Sequence, residues 1–163
     1  MRDRQRGFSL IELLIVVAII LVIAAIAIPN LVRSRMAANE ASAVASLRSV
    51  NTSQLVYQTS YTVGFASGLT NLSDGGAPGN CIPPTVPTPA SACLLDSTLA
   101  AGTKNGYKFT YTAVSSGGVN TSYTVNADPI ALGASGQRHF FTDQSNVIRA
   151  NLASPASPSD PAI

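Results

Sequence analysis

Apolar positions gather at one end of the chain. Leu13 to Ile28 is an unbroken run of sixteen apolar residues, and extension back to Phe8 makes it twenty-one, interrupted only by Ser9 and Glu12. A helix of that length covers about 32 Å, enough to cross a bilayer core of about 30 Å. From Leu31 to about Tyr61 the pattern turns amphipathic. Val44, Leu47, Val50, Tyr57 and Tyr61 recur at helical spacings, Gln54 fills the remaining turn, and no Gly or Pro lies between Leu31 and Val63. The spacing predicts one helix from Phe8 to near Tyr61, about 80 Å long. That is too long for one small domain, so its first half must bury against a membrane or against neighbouring copies.

Beyond Val63 the periodicity shortens. Gly75-Gly76-Ala77-Pro78-Gly79 and Pro83-Pro84-Thr85-Val86-Pro87-Thr88-Pro89 are turn and polyproline signals inside an irregular stretch from Gly64 to Leu99. Tyr107–Ala113 and Thr121–Ala127 then alternate apolar and polar residues across the turn Ser116-Gly117-Gly118, a hairpin pattern. Arg138–Thr142 and Asn146–Arg149 predict a second hairpin across Asp143-Gln144-Ser145. The tail from about residue 153, rich in Ser and Pro, is expected to be disordered. The predicted class is α+β: a long N-terminal helix, transmembrane in its first half, packed on a three- to four-stranded antiparallel sheet.

Composition narrows the function classes. The 163 residues are 46% hydrophobic and 11% charged, with a formal net charge of +2. An ordinary domain carries about 25% charged residues, so this surface relies on Ser, Thr, Asn and Gly. A charge of +2 makes no nucleic-acid footprint. One His and two Cys are too few for the usual four-ligand structural zinc cage. Arg2, Arg4 and Arg6 precede the apolar run, against one Asp3, which places the N-terminus in the cytoplasm and the rest outside; Arg33 and Arg35, just past the far end, pull the other way.

Three readings compete for the run. One is an ordinary cleaved signal, with Ala25-Ile26-Ala27 as its small-x-small site and a mature chain starting at Ile28. The second is a permanent single-span anchor. The third gives Glu12 a purpose, since a charge near a bilayer centre costs about 2.5–3.5 kcal/mol on insertion scales and marks a functional site by default.

The segment Arg6-Gly7-Phe8-Ser9-Leu10-Ile11-Glu12-Leu13-Leu14-Ile15-Val16-Val17-Ala18-Ile19-Ile20 resembles the class III signal of type IV prepilins and type II secretion pseudopilins. The likeness rests on a short basic leader ending in Gly, then Phe, then an acid four residues later inside the apolar run, then Pro29. It covers roughly residues 4 to 35. It implies that a membrane-embedded prepilin peptidase cuts between Gly7 and Phe8, that Phe8 is then N-methylated, and that the helix is retained. On that division residues 1–7 are the leader, 8–28 the transmembrane and polymerisation helix, and 29–163 the exported head. The head pattern of one long helix followed by an antiparallel sheet is similar in type to pilin and pseudopilin heads.

Residue chemistry agrees with the likeness. Gly7 lets a protease approach the backbone closely. Cleavage removes three Arg and one Asp, taking the side-chain balance from +2 to zero, and leaves a cationic amine on Phe8. In a stack of copies, Glu12 of one chain is placed to neutralise the Phe8 amine of its neighbour; the alternative is an intrachain Phe8–Glu12 pair. Pro29 either ends the membrane helix or bends it. In an exported compartment Cys81 and Cys93 are expected to be disulfide-bonded around the Pro-rich loop, the alternative being two free buried thiols.

No catalytic set emerges. His139 stands alone within a strand pattern, and Gly133-Ala134-Ser135-Gly136 lacks the G-x-S-x-G spacing of a nucleophile elbow. Asp128 and Asp143 are two scattered acids, poor material for a calcium cage. Asn51, Asn71 and Asn120 open N-x-S/T sequons in a chain rich in these residues.

The expectation is therefore a non-enzymatic structural subunit of an extracytoplasmic filament, a type IV pilin, with no cofactor. By resemblance its partners are copies of itself, related minor pilins or pseudopilins, the prepilin peptidase and an inner-membrane assembly platform. It would be a single-pass inner-membrane protein before assembly and part of a periplasmic or cell-surface filament afterwards. The alternatives are a pseudopilin of a type II secretion system and a periplasmic binding module or enzyme with an ordinary cleaved signal.

Overall fold

A computed structural model describes residues 8–77, 81–83 and 86–163. Helix α1 runs from Leu10 to Tyr61, 52 residues, through Pro29 without a break. Pro29 therefore does not end the helix. The described chain separates into two units at the Arg35/Met36 boundary.

The first unit is the apolar part of α1. Its large aliphatic side chains, from Leu10 to Val32, are exposed. By length and composition α1 can cross a membrane. An isolated helix with apolar residues on every side buries none of them, so a membrane or other protein must cover it.

The second unit builds a sheet against the rest of α1. Ala43, Leu47, Val50 and Tyr57 form the helix's buried stripe, with Val44 and Tyr61 at its margin. The helix stops because Thr62 (φ 54°) and Gly64 (φ 83°) take left-handed backbone. A side chain at Gly64 would also sit 2.4 Å from the Asn120 carbonyl oxygen, so only glycine fits. Two single-turn helices follow, α2 (Leu69–Leu72) and α3 (Ser97–Ala100), the latter capped by the Asp96 side chain accepting from the Leu99 N–H. The strands are β1 (Thr103–Lys104), β2 (Tyr107–Ser116), β3 (Val119–Pro129), β4 (His139–Asp143) and β5 (Arg149–Asn151), an antiparallel meander in chain order.

Side-chain alternation sets the faces. Tyr107 and Phe109 on β2 and Tyr123, Val125 and Ala127 on β3 point into the core, while their polar neighbours are partly or fully solvated. The β2–β3 turn uses Gly117 and Gly118, both at positive φ, as a two-residue hairpin of primed type requires. Five strands form, against the three or four expected. The extra one is β1, which pairs with β2 through Thr103–Lys108 and Lys104–Tyr107 around an Asn105-Gly106 turn. The second hairpin has a longer connection than the alternation suggested. Its last strand starts at Arg149, and Ile148 just before it is buried in the core.

The tail corrects the expectation of disorder. Asn126 and Phe141 face each other across β3 and β4, so they share one face of the sheet. The Asn126 amide donates to the Ala156 carbonyl at 2.8 Å, which lays the tail over that face, and both Phe141 and Ala156 are buried. Asp160 then accepts from Asn151 and from the Ser157 N–H and hydroxyl, and the Ala150 N–H donates to the Pro161 carbonyl. Ser-Pro composition hid a segment that covers an aromatic and extends the sheet edge.

Cys81 and Cys93 are joined, with Cα atoms 5.5 Å apart. The bridge closes a loop that supplies few core side chains, so it stabilises chiefly by restricting the unfolded chain. For a loop of this size that is about 3 kcal/mol. Native material should yield the 81–93 peptide pair linked in non-reduced mass spectrometry, and Cys81→Ser should lower the thermal midpoint of the detergent-solubilised chain by about 5–10 °C. Recovery of two alkylated thiols from native protein would remove this stabilisation from the account.

Candidate assembly site

Phe8 and Glu12 lie at the start of α1, with Glu12 in its first turn. Ser9 immediately precedes the helix. The Ser9 N–H donates to Glu12 Oε2 at 2.9 Å, and the Leu13 N–H donates to the Ser9 carbonyl. This is half of a capping box, in which an acid three residues into the helix satisfies the cap residue's own amide. The Ser9-x-x-Glu12 spacing carries that signal in the sequence. Glu12 thus has a backbone partner in its own chain, while Phe8, preceded by Gly7 in this uncut chain, carries no free amine. Its carboxylate stays exposed among exposed aliphatics, with acceptor capacity left over. Gly7 and the Arg-rich leader lie outside the described residues.

Pro29 sits within α1 and has no N–H to return to the Ala25 carbonyl. The next turn carries side-chain bonds to backbone: the Asn30 amide donates to the Ile26 carbonyl at 3.1 Å and the Ser34 hydroxyl to the Asn30 carbonyl at 3.0 Å. Such back-bonding often bends helices.

Where α1 enters the head, Asn39 and Glu40 hold the loop between β3 and β4. The Asn39 amide donates to the Ser135 carbonyl at 2.8 Å. Glu40 accepts from the Gln137 N–H at 2.9 Å and pairs with Arg138 Nε at 2.8 Å. Burial pushes the Glu40 carboxyl up, but the Gln137 amide and the Arg138 guanidinium outweigh it, and the net pKa is lowered. A carboxyl with a lowered folded pKa contributes stability above its unfolded pKa and loses it as pH falls through the folded value. The thermal midpoint should therefore fall between roughly pH 5 and pH 3. Glu40→Gln should start lower at neutral pH and fall less over that range; an acid limb of unchanged slope would count against this pair.

Farther along the helix, polar side chains tie α1 to the sheet. Gln54 donates to the Tyr111 hydroxyl at 2.7 Å and accepts from the Ala66 N–H at 3.0 Å, while the Tyr111 hydroxyl donates to the Ala66 carbonyl. Asn51 bonds Thr142 and Tyr123. Burial, with the Asp143 charge in addition, pushes the Tyr123 hydroxyl up to about 12. These groups are satisfied and structural.

The remaining candidates resolve the same way. His139 Nδ1 lies 2.6 Å from Asp128. Asp143 accepts from the Ser145 N–H in the β4–β5 turn. Among the described residues no three His, Cys, Asp or Glu side chains converge. The Ser135 hydroxyl bonds the Ala131 backbone within its own turn.

Known proteins resemble part of this chain. The family described as the prokaryotic N-terminal methylation motif matches residues 2–28. The type IV major pilin protein PilA of Myxococcus xanthus is 49% identical over 51 residues, 31% of this chain and 23% of that one. The type IV wide pilus major component PilA4 of Thermus thermophilus is 44% identical over 78 residues, 46% of this chain and 59% of that one. The chain therefore spans less than two thirds of the length of either relative. No solved structure matches it. Residues 2–28 carry the prokaryotic N-terminal methylation motif at the start of a long apolar helix, and part of the chain is similar to two type IV major pilins.

Proposed function

We propose that the chain is a structural subunit of a type IV pilus, held in the inner membrane by the first part of α1 and polymerised through it. The observation that carries this reading is the conjunction of an exposed apolar helix with Glu12 at its start and a folded head that follows it in the chain. The two relatives are named as major pilus components, which favours a pilus over a secretion pseudopilus. In this reading a prepilin peptidase removes residues 1–7 and methylates Phe8, an inner-membrane platform extracts the subunit, and copies of the chain are the main partners. The role is mechanical, not catalytic. Pro29 is a bending point at which the helix adapts to neighbours.

Shearing surface fibres from cells that express the chain, and from cells lacking it, tests the assignment. Fibres composed mainly of this chain, absent from the deletion strain, are expected. A chain found only as a soluble periplasmic protein would overturn it.

A further inference from the structure

The apolar unit of α1 ends on charge. Its exposed large aliphatics run from Leu10 to Val32, and Arg33 and Arg35 follow at once, both exposed. From Leu10 to Val32 the helix rises about 33 Å, against about 30 Å for a bilayer core, a difference that ordinary tilt absorbs. Arg33 and Arg35 stand about 1.5 Å and about 4.5 Å past Val32 along the axis. The headgroup layer on each side of the core is about 5–7 Å deep. Both arginines therefore fall in that layer when the aliphatics fill the core.

No acid of the chain claims either cation. None stands three or four residues from Arg33 or Arg35, the helical positions from which a carboxylate would reach them. Among the described residues the ion pairs are Lys104–Asp96, Arg138–Glu40 and His139–Asp128. An arginine lays its aliphatic stem along an apolar surface and keeps its guanidinium at the water boundary, where the planar fork matches a phosphate. Two residues apart, the two side chains point about 200° apart around the helix and reach different lipids. Positive charge at this end opposes the inward pull of Arg2, Arg4 and Arg6. Removal of residues 1–7 takes those three away and leaves Arg33 and Arg35 as the side-chain cations of the first unit.

Resting on the membrane-held first helix of the pilus reading, we infer that Arg33 and Arg35 bind the phosphate groups of anionic lipids in the outer leaflet and so set the depth of the processed helix before assembly. The leader arginines hold the precursor from the inner side. Once they are gone, the outer pair holds the retained helix from the other side. Each basic residue beside an anionic surface contributes a preference of about fivefold, reduced by salt. Such a hold fixes depth in the membrane pool and is weak enough to be released when the subunit joins a filament.

The chain contains no Trp, so Ile28→Trp supplies a single fluorescent reporter in the apolar run, about 7.5 Å inside Arg33 and far from the leader arginines. The full chain carrying it is placed in vesicles of phosphatidylcholine and phosphatidylglycerol, with bromine on the acyl chains of one lipid and then of the other. Tryptophan quenching reports which lipid lies beside that end of the helix. A preference of about threefold or more for phosphatidylglycerol is expected. It should fall to near onefold when Arg33→Gln and Arg35→Gln are added, and should be unchanged by inorganic phosphate at fixed ionic strength. Equal quenching by the two lipids, or a preference that survives the two glutamines, would overturn the lipid contact alone. A preference abolished by inorganic phosphate would assign the arginines to the free anion and overturn it too. No quenching by either lipid would put the helix outside the bilayer, and the membrane-held reading would fall with the contact.

Discussion

Glu12→Gln and Glu12→Ala are both expected to insert in the membrane, to be cut after Gly7, and to fail in filament assembly. Insertion depends on the apolar run, which neither change touches, and loss of an ionised group slightly favours it. On the pilus reading proposed above, assembly is expected to depend on the charge. Once Phe8 carries a free amine, packing among apolar helices leaves that cation without water, and breaking a buried ion pair costs about 3–5 kcal/mol. A penalty of that size at each subunit shifts the partition from filament to membrane pool by more than about a hundredfold. The capping contact separates two roles for Glu12. Gln keeps an oxygen that can accept from the Ser9 N–H, whereas Ala removes the cap as well, worth only about 1 kcal/mol. If Gln assembles normally and Ala does not, the carboxylate serves its own helix end and the intermolecular role is lost. Filament in the sheared fraction, against processed subunit in membranes, is the readout.

Gly7→Val should leave the precursor uncut. A protease must draw the scissile backbone into an extended conformation close to its catalytic groups, and a β-branched side chain at that bond adds both bulk and stiffness. The uncut chain keeps Arg2, Arg4 and Arg6 on the cytoplasmic side and has no Phe8 amine to pair with Glu12. Filaments should therefore disappear together with processing. Immunoblots of membrane fractions would show one band at precursor size. Normal conversion to a Phe8 terminus in this variant would show that the cleavage bond has been misplaced.

Features with local causes are legible in the sequence. The apolar run, the end of α1 at Tyr61 and the hairpin at Gly117-Gly118 follow from periodicity and turn chemistry within a few residues. The cysteine pair followed from close spacing and export. What escaped depends on distant partners. Gln54 looked like a filler on an apolar stripe, and becomes a buried tie only because β2 brings Tyr111 to it. Glu40 gains its meaning from Arg138, 98 residues away. The tail's Ser-Pro composition says nothing of Asn126, whose amide bonds the Ala156 carbonyl. The short strand β1 has a local cause, since Asn105-Gly106 is a strong hairpin signal that stands plainly in the sequence.

Polymerisation through a processed and retained first helix is tested most directly by the intact mass and N-terminal fragments of the chain in sheared surface filaments. A chain beginning at Phe8, with one methyl group on its amine and all of α1 present, is the predicted result. A chain that begins at Ile28, or one that still carries residues 1–7, would contradict it.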